Sequence, residues 1–198
     1  ILSATACLTW LSRLTKRPVA DLVGELGTER RAPTSLLFVP YLDGCWAPTF
    51  DVDVRGAFVG LDHTTDDAAM TQAVLQGVAF ALTEAAAGFR ANGAAFDRLL
   101  GIGGGSRSKV WLGLLADCLG TEIAVPEASE LGAAFGAARL GLICATGADP
   151  AATLTMPRIV DVVSPDPGRT EAFREAFARW SDLVGPVRAA SRPLATSM

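Results

Sequence analysis

The first part of the chain alternates between helical spacing and short continuous apolar runs. Apolar residues within Leu2–Leu14 recur every three or four positions, which predicts a helix. A second helical stretch followed by a polar turn is predicted within 18–34. Leu36–Val39 is a short apolar run closed by a proline, which is typical of a buried strand, and Ala57–Leu61 is a second such run.

A long loop and a long helix are predicted around the second strand. Residues 41–55 contain glycine, proline and three aspartates, and a loop of this length in a compact domain indicates a role beyond connection. Thr65–Asp67 is a helix start with acidic residues in the first turn. One apolar face continues to about Arg90, and Asn92-Gly93 ends this amphipathic helix.

The second half of the chain repeats a strand-then-helix order. Its predicted elements are a strand over Arg98–Ile102, a turn at Gly103–Ser106, helix Ser108–Leu119, strand Glu122–Pro126, a small-residue helix over Glu130–Leu142, a short helix or turn over Pro150–Met156 and helix Thr170–Ala190. Strands that alternate with helices indicate an α/β domain with at least a partly parallel sheet. A single domain over residues 1–198 is the simplest organisation.

Composition and charge exclude several classes of protein. The 198 residues are 50% hydrophobic, enough for one core, and the net charge of −4 argues against a nucleic-acid partner. No apolar run is long enough for a membrane span, and the start does not resemble a signal peptide, so we expect a cytoplasmic protein whose chain begins within a domain. Cys7, Cys45, Cys118 and Cys144 lack paired spacing and predict buried, reduced thiols.

Three consecutive glycines, Gly103–Gly105, lie between a predicted strand and a predicted helix. Such a loop leaves backbone N–H groups bare near the positive end of the helix dipole, where phosphates or the flat face of a base bind. The surrounding residues match neither the P-loop nor the dinucleotide-binding motif. Two interpretations therefore remain open, a nucleotide-binding loop and a tight turn needed only for packing.

A helix rich in small residues follows over Ser129–Gly141. Each glycine costs a helix roughly 1 kcal/mol, so close packing or ligand approach must offset it. We expect a tightly packed core helix for most of these residues. A mixed interpretation places the Gly132 end near a nucleotide and the rest in the core.

The long loop carries other candidates for chemistry. Asp43, Asp51 and Asp53 suggest a metal site or a general base, but their spacing differs from that of an EF-hand, so we expect turn-forming roles. His63 is the only histidine, and we expect it in a turn or a helix cap. No metal-ligating or catalytic residue is therefore assigned. Trp46 is a candidate homodimer contact because aromatic residues are enriched at interfaces.

Five segments together resemble the C-terminal domain of the FGGY carbohydrate kinases, from near residue 2 to about residue 190. They are PYLDGCWAP at 40–48, RGAFVGL at 55–61, AVLQGVAFAL at 73–82, GGGSRSKVWLGLLAD at 103–117 and LGAAFGAARLG at 131–141. The chain departs from the family pattern at Ala69, where a polar residue is usual. The resemblance implies an α/β, actin-like (ribonuclease H-like) ATPase fold with a mixed sheet flanked by helices.

The resemblance also implies that this domain binds ATP, used with Mg²⁺. The implied nucleotide-binding residues are Thr5, Thr9, Gly103, Gly104, Gly105, Ser106 and Lys109. Lys109 stands where glycerol kinases have an asparagine beside the adenine. Thr5 and Thr9 also fit a plain helix surface.

Family members transfer the γ-phosphoryl group of ATP to a sugar held between two domains. A ketopentose, D-xylulose first, is the implied substrate; ribulose, gluconate, glycerol and erythritol remain alternatives, as does an actin- or chaperone-like nucleotide-binding module. The family's catalytic aspartate, first phosphate-binding turn and most sugar contacts correspond to a segment before residue 1. The implied partners are therefore a small-molecule sugar and an N-terminal domain of the same kinase, and we expect the isolated piece to be inactive.

Overall fold

The computed structural model describes residues 4–46 and 49–191. Its helices are α1 (Ala4–Thr15), α2 (Val19–Gly24), α3 (Asp67–Ala91), α4 (Lys109–Leu119), α5 (Ala133–Thr146), α6 (Pro150–Thr153) and α7 (Pro167–Ala190). Its strands are β1 (Leu37–Val39), β2 (Ala57–Val59), β3 (Arg98–Leu100), β4 (Glu122–Pro126) and β5 (Ile159–Val163). Two short 3₁₀ turns cover Gly104–Arg107 and Ser129–Leu131.

Local capping groups fix the ends of the central helices where the sequence predicted them. Asp66 caps α3 by accepting the N–H of Ala69 at 2.8 Å. Ser108 caps α4 in the same way for Trp111, at 3.3 Å. Gly120 ends α4 in the left-handed conformation that favours glycine. Helix α2 is much shorter than the stretch predicted within 18–34.

The strands form two small sheets. β1 and β2 pair antiparallel, whereas the second sheet has the order β3-β4-β5, with β3 parallel and β5 antiparallel to β4. The mixed, partly parallel sheet is confirmed. No element was predicted for residues 159–163, so β5 was missed. This antiparallel edge strand has two exposed valines, Val160 and Val162.

The core is organised around one backbone carbonyl, that of Phe38 in β1. A Cβ atom placed on Gly77 of α3 would lie 2.2 Å from this oxygen, so α3 crosses β1 in backbone contact. The indole Nε1–H of Trp180 in α7 donates to the same oxygen at 2.8 Å, and this tryptophan is fully buried. Helices α3 and α7 are thus both held against β1.

Buried polar side chains attach the connection between α2 and β1 to the helices. Gln76 of α3 accepts the N–H of Thr34 at 2.9 Å and donates to its carbonyl at 3.2 Å. Arg30 crosses α4 over Gly113 and reaches the buried carboxylate of Asp117 at 2.9 Å. Burial raises the pKa of the Asp117 carboxyl above its ordinary value, and the positive charge of Arg30 opposes this shift.

The small-residue helix α5 is exposed, so the prediction of a tightly packed core helix is wrong for this chain. None of its residues is buried, and Leu140 and Leu142 are each more than half exposed. A Cβ atom on Gly136 or Gly141 would meet nothing within 4 Å. The small residues of α5 would allow another backbone to approach closely, but no core element among the described residues packs against this helix.

No helix in the described ranges is both long and apolar enough to cross a membrane.

Gly77→Ala tests the contact between α3 and β1. The added methyl group would overlap the Phe38 carbonyl, so we expect a loss of about 2 kcal/mol or more in the free energy of unfolding. Gly88→Ala on the same helix is the matched control, because its Cβ would meet nothing within 4 Å and alanine is the better helix former. Urea denaturation compares the two, and equal stability of both variants would contradict the contact.

Candidate functional site

A run of glycines follows strand β3. The structure explains the presence of glycine differently at each of these positions. Gly101 extends the pairing with β4 by donating to the Ala124 carbonyl at 2.8 Å. A Cβ on Gly101 would lie 3.0 Å from side-chain carbons of Ile123 and Leu112, so packing accounts for this residue. Gly103 has φ +86° and ψ −179°, a region that only glycine adopts readily.

The next two glycines differ from each other. A Cβ on Gly105 would lie 3.2 Å from the indole ring of Trp111, whereas one on Gly104 would meet nothing within 4 Å, and the φ of Gly104 is not positive. Packing therefore accounts for Gly105 but not for Gly104. Gly104 and Gly105 are the first two residues of the 3₁₀ turn Gly104–Arg107. The first N–H groups of such a turn have no hydrogen-bond partner inside the turn. The loop offers backbone donors beside open space, as a nucleotide site requires.

A second loop, residues 127–132 after β4, lies against the turn Gly103–Ser106, which we call the glycine loop. The N–H of Gly103 donates to the Ser129 carbonyl at 2.7 Å, and the hydroxyl groups of Ser106 and Ser129 are 2.8 Å apart. Gly132 approaches Gly103 so closely that its Cβ would lie 3.4 Å from the Gly103 Cα. Sequence reasoning missed Ser129. The available signal was that parallel strands end at the same sheet edge, so the turns after β3 and β4 must be neighbours.

The remaining predicted nucleotide residues are exposed, at the start of α4 and on α1. Lys109 begins α4; its side chain is exposed and its Nζ lies 4.0 Å from an oxygen of Asp161. Thr5 and Thr9 are exposed on α1, where the Thr9 hydroxyl donates to the Thr5 carbonyl at 3.4 Å. The apolar cluster beneath α1 includes Trp111, which connects this helix indirectly to the glycine loop. Contact of Thr5, Thr9 and Lys109 with a nucleotide stays a prediction.

The aspartate-containing loop is held by hydrogen bonds and an ion pair. Asp51 accepts the N–H groups of Asp53 and Val54, at 3.1 and 3.2 Å, and lies 3.4 Å from the Arg188 guanidinium. The turn-forming role predicted for Asp51 is confirmed. His63 lies in an exposed turn, as expected. Within residues 4–46 and 49–191, no cluster of three or more His, Cys, Asp or Glu side chains could hold a metal ion.

The cysteines are free thiols in different environments. Cys7 and Cys45 are buried, and burial raises the pKa of Cys7 to about 12, so this thiol stays neutral near pH 7. Burial also raises the pKa of the half-buried Cys118. Cys144 is exposed on α5, so the prediction of burial is wrong for this residue, because nothing described covers that helix.

The sequence matches the C-terminal domain of the FGGY family of carbohydrate kinases over residues 3–145, and the chain belongs to this family. It is 32% identical to the xylulose kinase of Escherichia coli over 195 residues, which are 96% of this chain and 40% of that protein. It is 38% identical to the gluconokinase of Bacillus subtilis over 125 residues, 60% of this chain and 23% of that protein.

Solved structures agree with this assignment. The crystal structure of a "xyloylose kinase" from Brucella ovis has a TM-score of 0.86 and 43% identity, covering 96% of this chain and 39% of that chain. Plasmodium falciparum glycerol kinase with ADP shares the fold at a TM-score of 0.71 and 22% identity, covering 93% of this chain and 37% of that chain. The α/β, actin-like fold is confirmed, and the chain spans about 40% of the length of these xylulose kinases.

Gly103→Ala tests the conformation of the loop independently of any ligand. We expect a loss of about 1–3 kcal/mol in stability, because alanine is strained at this φ and ψ although its methyl group has room. Gly104→Ala is the matched control and should change stability by less than about 0.5 kcal/mol. Thermal unfolding measures both, and a destabilised Gly104→Ala would show that packing does require this glycine.

Proposed function

We propose that this chain is the ATP-binding half of a sugar kinase that transfers the γ-phosphoryl group of ATP to a ketopentose, with D-xylulose as the first candidate. Membership of the family and similarity to xylulose kinases from two organisms support the reaction and the sugar. The observation that carries the nucleotide assignment is the open space beside Gly104, which neither packing nor backbone conformation accounts for, at the start of a helical turn whose first N–H groups have no partner inside the turn. ATP as donor fits the cytoplasmic location expected from the sequence.

The glycine loop fits the adenosine end of ATP. A flat base or ribose approaches a backbone closely only where no Cβ intervenes, and Gly103 and Gly104 both leave that space free. Ser106 shapes the loop from its buried side, and Thr5, Thr9 and Lys109 are the proposed contacts around it. Mg²⁺ would be held by the phosphates of ATP together with one or two carboxylates of the complete protein.

An uncovered apolar surface supports a further part of the protein as the partner of this chain. Helix α5 has no buried residue, β3 is an edge strand among the described elements, and its last residue Leu100 and the nearby Ile102 are 43% and 58% exposed. The xylulose kinase relatives are more than twice as long as this chain. We assign to their additional N-terminal domain the role of covering this surface and of supplying the catalytic carboxylate and the sugar contacts.

A second candidate function is phosphorylation of another sugar of the same family. The similarity to a gluconokinase favours gluconate as the alternative substrate.

Trp46 and Phe50 are both exposed, with ring centroids 5.1 Å apart. A homodimer contact through Trp46 stays a prediction.

The substrate proposal predicts sugar-dependent ADP release by the complete protein. We expect D-xylulose to give the highest kcat/KM in a coupled assay against ribulose, gluconate, glycerol and erythritol, and the isolated chain to give no turnover. Higher kcat/KM with gluconate would establish the second candidate instead. Turnover by the isolated chain would overturn the division of roles between the two domains.

Gly104→Leu tests the nucleotide site in the complete protein. The Cβ of the new side chain meets nothing within 4 Å and the side chain enters the space proposed for adenosine, so we expect the KM for ATP to rise at least fivefold while the KM for sugar stays unchanged. Gly88→Leu is the matched control, because its Cβ also meets nothing within 4 Å but it lies on a different element, α3. An unchanged KM for ATP in Gly104→Leu would remove the adenosine assignment.

A further inference from the structure

Three hydrogen bonds form a closed ring between the glycine loop and the loop after β4. The N–H of Gly103 donates to the Ser129 carbonyl at 2.7 Å, and the Ser106 hydroxyl donates to the Gly103 carbonyl at 2.7 Å. The Ser106 hydroxyl has one proton, so across the 2.8 Å contact between the two hydroxyl groups Ser129 is the donor. Both serines are only 7% exposed, which shields the ring from water.

The loop after β4 is fixed independently of the glycine loop. The N–H of Glu127 donates to the Arg158 carbonyl at 2.8 Å, and the two side chains form an ion pair at 2.9 Å that lowers the pKa of Glu127. Ala128 has φ +54°, an uncommon value for a residue other than glycine, and directly precedes Ser129. The loop after β4 is thus held in place by its own contacts and can in turn hold the glycine loop.

We propose that Ser129 is a positioning residue for the nucleotide site: its carbonyl and hydroxyl groups hold Gly103 and Ser106 so that the space beside Gly104 stays open for the adenosine part of ATP. This inference rests on the proposed function. Neither Gly103 nor Gly104 has a side chain that could restrain the loop, and the close approach of Gly132 to Gly103 is a backbone contact only. The ring of hydrogen bonds supplies that restraint.

The experiment uses Ser129→Ala, Ser106→Ala and the double variant in the complete protein. We expect Ser129→Ala to raise the Kd for ATP about fivefold, the size of one buried hydrogen bond, while kcat at saturating ATP and the KM for sugar stay unchanged. The double variant should resemble Ser129→Ala rather than add a second full effect, because the two hydroxyl groups act as one unit. If Ser129→Ala does not fold, the Kd for ATP of Ser106→Ala decides the question.

Thr121→Val is the matched control at the other end of β4. Thr121 is 4% exposed, accepts from Arg90 at 2.8 Å and donates to the Leu119 carbonyl at 3.1 Å, so its loss also removes buried hydrogen bonds. We expect it to lower the Tm without changing the Kd for ATP. If Ser129→Ala likewise lowers only the Tm, Ser129 is a structural residue and the inference is wrong.

The inference and the proposed function fail in distinguishable ways. If Gly104→Leu weakens ATP binding and Ser129→Ala does not, the nucleotide site stands and the positioning role falls. If the unmodified complete protein shows no ATP binding by calorimetry, the proposed function falls and the positioning role falls with it. A selective rise in the Kd for ATP in Ser129→Ala supports both.

Discussion

The backbone oxygen of Phe38 is the point on which the arrangement of the chain depends. Helix α3 reaches it only because residue 77 is a glycine, and α7 is held there by the indole N–H of Trp180. Helix α3 then provides Gln76 for the connection before β1 and packs, through Ala86, into the cluster beneath α4. Because α4 begins directly after the glycine loop, the position of the candidate site follows from this one close approach.

Features set by neighbouring residues could be predicted, and features set by distant partners could not. The ends of α3 and α4 follow from Asp66, Ser108 and Gly120, whose effects are local. Burial of α5 was wrongly predicted because small residues indicate close approach without saying which backbone approaches. Strand β5 was missed because an exposed edge strand lacks the alternation that marks a half-buried strand.

The same distinction applies within the site. The sequence identified the three glycines, but only the structure separates backbone conformation at Gly103, packing at Gly105 and open space at Gly104. Ser129 lies 23 residues after Ser106 and contacts it because β3 and β4 are parallel neighbours. No local pattern contains that pairing, although the strand-helix-strand order predicts it once the sheet edge is considered.

Helix α5 begins beside the glycine loop, because Gly132, the residue directly before it, lies close to Gly103. Glycine residues within α5 lower its stability by roughly 1 kcal/mol each, and none of its residues is buried among the described elements. A surface that approaches α5 closely would offset that cost. An element that docks at the N-terminal end of α5 would therefore lie beside the glycine loop. The partner surface and the ATP site proposed for this chain therefore share a border, which is the arrangement that a kinase needs when its sugar is held between two domains.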